Sequence, residues 1–250
     1  GDDQAVGAAR AQQPADIVAL SFSDSDLAAL AGAWRQDEAR LPSLRLAPGW
    51  RGDLDLSALE GYFALGYFLA PSTIYRHASK LPPGHWLRIA NGRIETREYW
   101  DVREFDTDHR SEPELLKTID ETLRVAVHDR LESEVPLGAF LSGGIDSGLI
   151  VSYMAEALGD RLVTASVGFD DRGHNELEAA GLVAAHFGSR HHAEEIAPNL
   201  DEVLAPVVER LGEPMADSSA IPTWYVSRAA RRHVTVALSG DGGDETFAGY

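Results

Sequence analysis

The sequence contains no cysteine among its 250 residues. Disulfides, cysteine-ligated zinc and a thiol nucleophile are therefore excluded within these residues. The sequence also lacks an apolar run near the roughly 20 residues that a membrane-spanning helix requires, and it shows no pattern of a secretory signal. We therefore expect a soluble, cytoplasmic protein that does not bind a membrane.

Positive charge is scarce, since 22 Lys and Arg residues stand against 40 Asp and Glu residues and give a net charge of -18. This balance disfavours binding to a nucleic-acid backbone or an anionic membrane surface. The partners that we expect are small-molecule substrates. With 44% hydrophobic residues, the chain is long enough to form one large or two small domains.

The first hundred residues predict a small α+β piece. Residues 1–42 remain unassigned, with disorder as one interpretation. A short amphipathic helix is predicted from Leu56 to about Pro71. Two strands at 85–89 and 93–99 follow, joined by Asn91-Gly92, a pair that suits a tight hairpin turn.

After a predicted polar linker at residues 106–112, helices and strands alternate. Strands are predicted at 136–141, 162–169, 191–196 and 234–238, and helices at 115–131, 149–158, 175–188, 223–232 and around Pro206, which is expected to interrupt its helix. Strands separated by helices of this length pair in parallel with right-handed crossovers. The sequence therefore predicts an α/β fold with a doubly wound parallel sheet, in which ligands bind at the carboxyl ends of the strands.

One glycine-rich loop, Ser142-Gly143-Gly144-Ile145-Asp146-Ser147, lies directly between a predicted strand and a predicted helix. Adjacent glycines at a helix N-terminus let backbone N–H groups face a phosphate, and the two serines add hydroxyl donors. The Asp146 carboxylate suits such an anion site if a cation such as Mg²⁺ lies between them. Taken alone, the loop equally suits a plain strand-to-helix turn with an N-cap.

A second loop, Ser239-Gly240-Asp241-Gly242-Gly243-Asp244-Glu245, follows the predicted strand at 234–238. So many carboxylates on one loop are costly unless they are solvated or face a cation, so a metal or a cationic group is the expected counterpart. Taken alone, this loop also suits a solvated or calcium-like acidic turn.

Together the two loops resemble the paired signature of the glutamine-dependent (class B) asparagine synthetase family, within the ATP-pyrophosphatase superfamily. The resemblance extends to 165–169, 212–214 and 217–223, and upstream to 64–67, 80–85 and 99–101. It implies that 43–106 is the C-terminal part of an Ntn-type glutaminase-like domain. It also implies that 107–250 is the N-terminal part of an incomplete synthetase domain with an adenine nucleotide alpha hydrolase-like fold.

The resemblance implies ATP-dependent amidation of aspartate to asparagine through β-aspartyl-AMP, with ATP and Mg²⁺ as cofactors and with nitrogen from glutamine or ammonia. The site residues that it implies are Leu141, Val167, Ser239 and Gly240 as ATP contacts, Ser142, Gly143, Gly144, Asp146 and Ser147 around pyrophosphate, Asp146 and Asp244 as Mg²⁺ ligands, and Asp241 near the acyl-adenylate.

The chain departs from that family in its glutaminase part, where the family uses an N-terminal cysteine as nucleophile. Residue 1 here is glycine. We therefore expect a truncated chain that does not hydrolyse glutamine and is inactive by itself. A β-lactam synthetase-like intramolecular amide ligase and a non-catalytic nucleotide-binding remnant are the alternatives, and a homodimer is left open.

Two clusters of basic residues have simpler interpretations than a role in a metal or phosphate site. His191 and His192 are neighbours on a predicted strand and point to opposite faces, which favours packing over a shared metal ion. Arg228, Arg231 and Arg232 suit a solvated helix face near a helix C-terminus.

Overall fold

A computed structural model describes residues 18–20, 49–90, 93–102, 108–169, 176–247 and 249. The chain forms two compact units. One comprises residues 1–105 and 204–217, and the other comprises residues 106–203 and 218–250. No helix in the described ranges is long and apolar enough to cross a membrane.

The first helix of the first unit, α1 (Leu56–Leu65), is shorter than the sequence predicts. It begins where the Asp55 carboxylate accepts hydrogen bonds from the N–H groups of Ser57 at 3.0 Å and Ala58 at 3.4 Å. It ends at Gly66, which adopts a φ of 82° and donates its N–H to the carbonyl of Tyr62. The predicted end near Pro71 is therefore wrong, because a left-handed glycine stops the helix earlier.

The strands of this unit form two antiparallel pairs. β1 (Val18–Leu20), which lies within the unassigned residues 1–42, pairs with β2 (Ala78–Lys80). The predicted hairpin is confirmed as β3 (His85–Ala90) paired with β4 (Arg93–Glu98). Its predicted Asn91-Gly92 turn lies outside the described residues.

Lys80 connects the two chain segments of the first unit. Its ammonium donates to the carbonyl of Phe68 at 2.7 Å and forms an ion pair with Glu213. Both side chains of the ion pair are mostly buried. The segment 204–217 is therefore anchored to the unit by a shielded charge pair rather than by surface contact alone.

Helices and strands alternate along the second half of the chain. They are α2 (Glu112–His128), β5 (Leu137–Phe140), α3 (Ile145–Leu158), β6 (Val163–Phe169), α4 (Leu177–Phe187), β7 (Arg190–Ile196), α5 (Leu200–Leu211), α6 (Ala220–Ala230), β8 (Val236–Leu238) and α7 (Gly243–Phe247).

The sheet of the second unit has the order β7-β6-β5-β8, and every neighbouring pair is parallel. One buried cluster, which includes Val151, Met154 and Ala180, packs α3 and α4 against the sheet. Another, which includes Ala165 and Ala230, packs α6 against it. The predicted α/β fold with a parallel sheet preceded by a small antiparallel piece is confirmed.

Several boundaries differ from the sequence predictions, among them the start of α3 at Ile145 rather than at residue 149. The linker at 106–112 was predicted too long, because Ser111 and Glu114 form a capping box that starts α2 at Glu112. Pro206 lies inside α5 without interrupting it. The helix buries Val203, which precedes the proline, and Val207, which follows it. α6 begins three residues earlier than predicted, at Ala220. Residue 175, where the sequence predicts that α4 begins, lies outside the described residues.

Candidate active site

The two glycine-rich loops follow adjacent strands of the sheet. β5 and β8 pair in register, with Leu137 opposite Val236 and Ala139 opposite Leu238. From β5 the chain steps outward through β6 and β7, and β8 then joins the other side of β5. The loops therefore leave the sheet where the strand order reverses, the point at which ligands bind in doubly wound sheets.

The first loop is fastened by its two serines. The Ser142 N–H donates to Ser147 Oγ at 3.2 Å, and the two hydroxyl oxygens lie 2.9 Å apart. Ser142 Oγ also accepts the N–H of Gly144 at 3.2 Å. Gly144 caps α3 without a side-chain hydrogen bond, so the first turn of this helix presents N–H groups that suit an anion.

Gly143 lets this loop lie directly on α4. Its φ is 86°, in the region that favours glycine. A Cβ at this position would lie 2.6 Å from both the Cβ of Ala179 and the backbone nitrogen of Ala180. Both the backbone conformation and the close packing therefore require glycine here.

Two glycines of the second loop bring it against the first. A Cβ on Gly240 would lie 2.7 Å from the backbone nitrogen of Ser147 and 2.9 Å from the carbonyl carbon of Asp146. A Cβ on Gly243 would lie 2.6 Å and 2.8 Å from the two carboxylate oxygens of Asp146. The second loop therefore covers the N-terminal turn of α3.

A cavity of about 510 Å³ lies between the loops. Five predicted site residues line it, namely Ser142, Gly144, Asp146, Ser147 and Asp244. Four further lining residues were not singled out as site residues from the sequence, namely Ile145, Gly243, Phe247 and Gly249. Ile145 and Gly243 belong to the two glycine-rich loops, so their position in these loops was the available signal in the sequence. The exposure of Ile145 and Phe247, unusual for large apolar side chains, emerges only in the structure.

The other predicted site residues do not line this cavity. They are Leu141, Gly143, Val167, Ser239, Gly240 and Asp241. The Leu141 side chain is buried, its N–H donates to the carbonyl of Ala165 at 3.0 Å, and its carbonyl accepts from the hydroxyl of Ser166. Leu141 therefore ends the strand and fixes where the loop begins.

Asp241 lies on the exposed turn that precedes α7. Its carboxylate accepts a hydrogen bond from the Ser239 hydroxyl at 2.9 Å. The turn continues through Gly242, whose φ is 95° and whose carbonyl accepts from the Thr246 hydroxyl at 2.6 Å. The second loop is therefore held mainly by short-range hydrogen bonds of its own.

The donor set suits Mg²⁺ better than a metal held by protein ligands alone. Asp146 and Asp244 both line the cavity, whereas the described ranges contain no group of three or more His, Asp or Glu side chains that could hold a metal ion. Mg²⁺ is commonly held by one or two carboxylates together with substrate phosphates. The residues present fit that arrangement.

Glycine-rich loops at the switch point of a parallel sheet are typical of proteins that bind phosphate-bearing ligands. Comparison with known families is more specific, because the asparagine synthase family model matches residues 118–250. A glutamine amidotransferase domain model matches residues 38–100. The chain belongs to the asparagine synthase family.

Known relatives show how much of a longer protein this chain resembles. It is 37% identical over 201 residues to asparagine synthetase [glutamine-hydrolyzing] 1 of Bacillus subtilis. The aligned region covers 79% of this chain and 31% of that protein. It is 30% identical over 201 residues to amidase chyE of Penicillium rubens, over 71% of this chain and 30% of that protein. The chain spans about a third of the length of the curated relatives it matches.

Among solved structures, an NH3-dependent NAD synthetase from Campylobacter jejuni matches at a TM-score of 0.38 and 18% identity, over 54% of this chain and 60% of that one. This likeness is too partial to support an inference.

Proposed function

We propose that the chain is the part of a glutamine-dependent asparagine synthetase that binds ATP and activates aspartate. One observation carries the proposal: the two glycine-rich loops meet at the switch point and enclose a cavity lined by two hydroxyls and two carboxylates. Membership of the asparagine synthase family supports this choice among nucleotide-binding functions.

The proposed reaction has two steps. The β-carboxylate of aspartate attacks the α-phosphorus of ATP, which forms β-aspartyl-AMP and releases pyrophosphate. Ammonia then attacks the β-carbonyl carbon, AMP leaves, and asparagine forms after loss of a proton. In the whole protein the ammonia derives from glutamine. The protein mainly positions the reactants and stabilises charge.

Some residues that line the cavity are proposed to bind the pyrophosphate portion of ATP, and others are proposed to bind the metal ion. Ser142, Gly144 and Ser147, with the first-turn N–H groups of α3, bind the pyrophosphate portion of ATP through backbone and hydroxyl donors. Asp146 and Asp244 hold Mg²⁺ together with the phosphates. When bound, this ion neutralises charge on the phosphate oxygens.

The remaining proposed contacts surround the loops. Leu141, Val167, Ser239 and Gly240 occupy the positions proposed to contact ATP. Because the Leu141 side chain is buried, we propose that it acts by fixing the start of the Ser142 loop. Asp241, which is exposed, is proposed to lie near the acyl-adenylate.

A second candidate is an intramolecular amide ligase of the β-lactam synthetase type. The Penicillium rubens relative, which is named as an amidase, leaves the acceptor acid open. Dependence on free aspartate separates the two candidates.

The test is pyrophosphate release from ATP and Mg²⁺ with aspartate and ammonium, by this chain and by the whole protein. We expect Asp146→Asn to lower the aspartate-dependent rate of the whole protein by about 100-fold or more, because it removes a charge at the phosphate site. Asp160→Asn, in the exposed turn Gly159–Arg161 after α3, is the matched control and should change the rate by less than about twofold.

The outcomes of this test discriminate between the candidate functions. Release by the whole protein that requires aspartate and Asp146 supports the proposal, and release by this chain would show that its residues suffice. Release that does not depend on aspartate would replace the proposal with the intramolecular ligase. A folded whole protein that neither binds ATP nor releases pyrophosphate would indicate a non-catalytic remnant.

A further inference from the structure

A second cavity, of about 850 Å³, lies at the edge of the sheet opposite the glycine-rich loops. Its wall includes the first residues of three strands, namely Leu137 of β5, Val163 of β6 and Arg190 of β7. The loops of the candidate active site follow the other ends of β5 and β8. The two cavities have no lining residue in common.

Basic side chains dominate the polar part of this wall. They are Arg161, Arg190, His191, His192, Arg232 and His233. Among the described residues that line the cavity, none is Asp or Glu. This basic cavity, defined by those six side chains, is therefore a local exception in a chain with a net charge of -18.

Two of its three guanidinium groups retain hydrogen-bonding capacity. Arg232 forms an ion pair with Glu194, so one charge of the wall is already balanced. Arg190 donates one N–H to the carbonyl of Arg161 at 3.2 Å. Neither Arg161 nor Arg190 forms an ion pair with any described carboxylate. Guanidinium groups bind phosphate oxygens through paired N–H donors.

Three histidines lie beside these cations in the cavity wall. The rings of His192 and His233 stack at a centroid distance of 3.5 Å and an interplanar angle of 7°. His191 Nδ1 lies 2.9 Å from the Thr164 hydroxyl, whereas its Nε2 is buried without a partner among the described residues. A buried ring nitrogen without a partner is costly.

Burial and neighbouring basic groups both act on the histidines of this wall. Burial, followed by the neighbouring His192, lowers the pKa of His191 below its ordinary value. Burial, followed by His233 and Arg190, lowers the pKa of His192. Because neighbouring basic groups contribute to both shifts, basic groups are concentrated at this wall.

We propose that the basic cavity binds a small phosphate-bearing anion through Arg161, Arg190 and the adjacent histidines. Its volume falls within the range of small-molecule sites, about 300 to 1,000 Å³. The ligand is a separate molecule from the nucleotide of the glycine-rich loops, and the proposal does not depend on the proposed function.

The test uses inorganic phosphate as the probe and the whole 250-residue chain as the protein. The Cε1–H resonances of His191, His192 and His233 are followed by NMR during a phosphate titration at constant ionic strength. We expect saturable shifts of these resonances and tighter binding at lower pH, because the anion favours the protonated rings. Phosphate bound at the Ser142 loop would not give this response, since none of these three histidines lines that cavity.

Paired variants test the arginines. Arg161→Gln/Arg190→Gln should weaken phosphate binding by about tenfold or more, since charge-assisted hydrogen bonds are lost. Arg228→Gln/Arg231→Gln removes the same charge outside the cavity, where Arg228 lies over the Tyr225 ring and Arg231 donates to the Thr235 hydroxyl. This control should bind phosphate within about twofold of the original affinity.

Several outcomes would overturn the proposal. Shifts that stay linear with phosphate or do not occur would show that the original chain has no site, whatever the variants do. Equal weakening in the two double variants would show that only overall charge matters. If Arg161→Gln/Arg190→Gln does not fold, Arg161→Gln alone takes its place, and unchanged affinity would exclude the arginine role.

Discussion

Gly243 lies directly against the carboxylate of Asp146, close enough that a Cβ would stand 2.6 Å from Oδ2 and 2.8 Å from Oδ1. Asp146 lies in the first turn of α3, and Gly243 begins α7 after the neighbouring strand. The side-chain position of the proposed metal ligand is therefore limited by a glycine almost a hundred residues later in the chain.

Gly243→Ala should impair the proposed site while leaving the fold intact. The new methyl group meets the flexible end of a carboxylate rather than the backbone, so the Asp146 side chain should move aside at little cost in stability. We expect Mg²⁺-dependent ATP binding to weaken by about tenfold, measured by calorimetry with thermal unfolding as the fold check.

The matched control is Gly181→Ala, inside α4, where nothing lies within 4 Å of the added Cβ. It should leave ATP binding unchanged and raise the free energy of unfolding by about 0.5 to 1 kcal/mol, because alanine loses less backbone entropy in a helix. Unchanged ATP binding in Gly243→Ala would contradict a role for the Asp146 position.

Gly143→Ala should instead destabilise the fold. Alanine would have to adopt a φ of 86° and would contact the backbone of α4, which cannot move as a side chain can. We expect the free energy of unfolding to fall by about 2 to 4 kcal/mol, measured by urea denaturation. A change below about 0.5 kcal/mol would show that the loop can withdraw from α4 without cost.

The sequence predicted the alternation of helices and strands because hydrophobic periodicity is a local property. It located the two loops because glycine and aspartate after a strand are a local signal too. The contacts of Gly240 and Gly243 with the N-terminal turn of α3 depend on β8 pairing with β5, and no local pattern reports that pairing.

The basic cavity could not be predicted for the same reason. Arg161, Arg190 and His233 lie far apart in the sequence and meet only because parallel strands begin at one edge of the sheet. The expectation that His191 and His192 would point to opposite faces did not prevent both from lining one cavity, since β7 begins at its rim.

Ser166→Ala should weaken the support beneath the first loop. The Ser166 hydroxyl is buried and donates to the carbonyl of Leu141, the residue directly before Ser142. Its removal leaves a buried carbonyl with one partner fewer, so we expect a loss of about 1 to 3 kcal/mol in the free energy of unfolding.

Ser152→Ala provides the comparison, because the Ser152 hydroxyl also donates to a carbonyl, that of Leu149 at 2.7 Å, but at an exposed position. Urea denaturation should show a loss below about 0.5 kcal/mol for this variant. Equal losses in the two serine variants would mean that burial does not determine how much stability is lost when the hydroxyl is removed.

Two histidines of the basic cavity predict a pH dependence of stability near neutrality. The pKa values of His191 and His192 lie below their ordinary value of 6.5 in the folded chain. Between the folded pKa and 6.5 the unfolded chain therefore binds more protons, and the free energy of unfolding should fall as the pH is lowered through this range. Carboxylates with lowered pKa values, such as Asp120, lose their contribution only at more acidic pH.

Urea denaturation from about pH 7.5 to about pH 5.5 measures this slope. His192→Gln should make the slope shallower, because it removes one ring and also relieves His191, whereas His109→Gln, at an exposed position, should leave it unchanged. The other charged groups around the rings are Arg161, Arg190 and the Arg232–Glu194 pair. Added phosphate should reduce the slope in the original chain, because an anion in the basic cavity offsets the smaller, electrostatic contribution that neighbouring basic groups make to these lowered pKa values, beside the larger contribution of burial. A slope that is identical in His192→Gln and the original chain would place the titrating groups elsewhere.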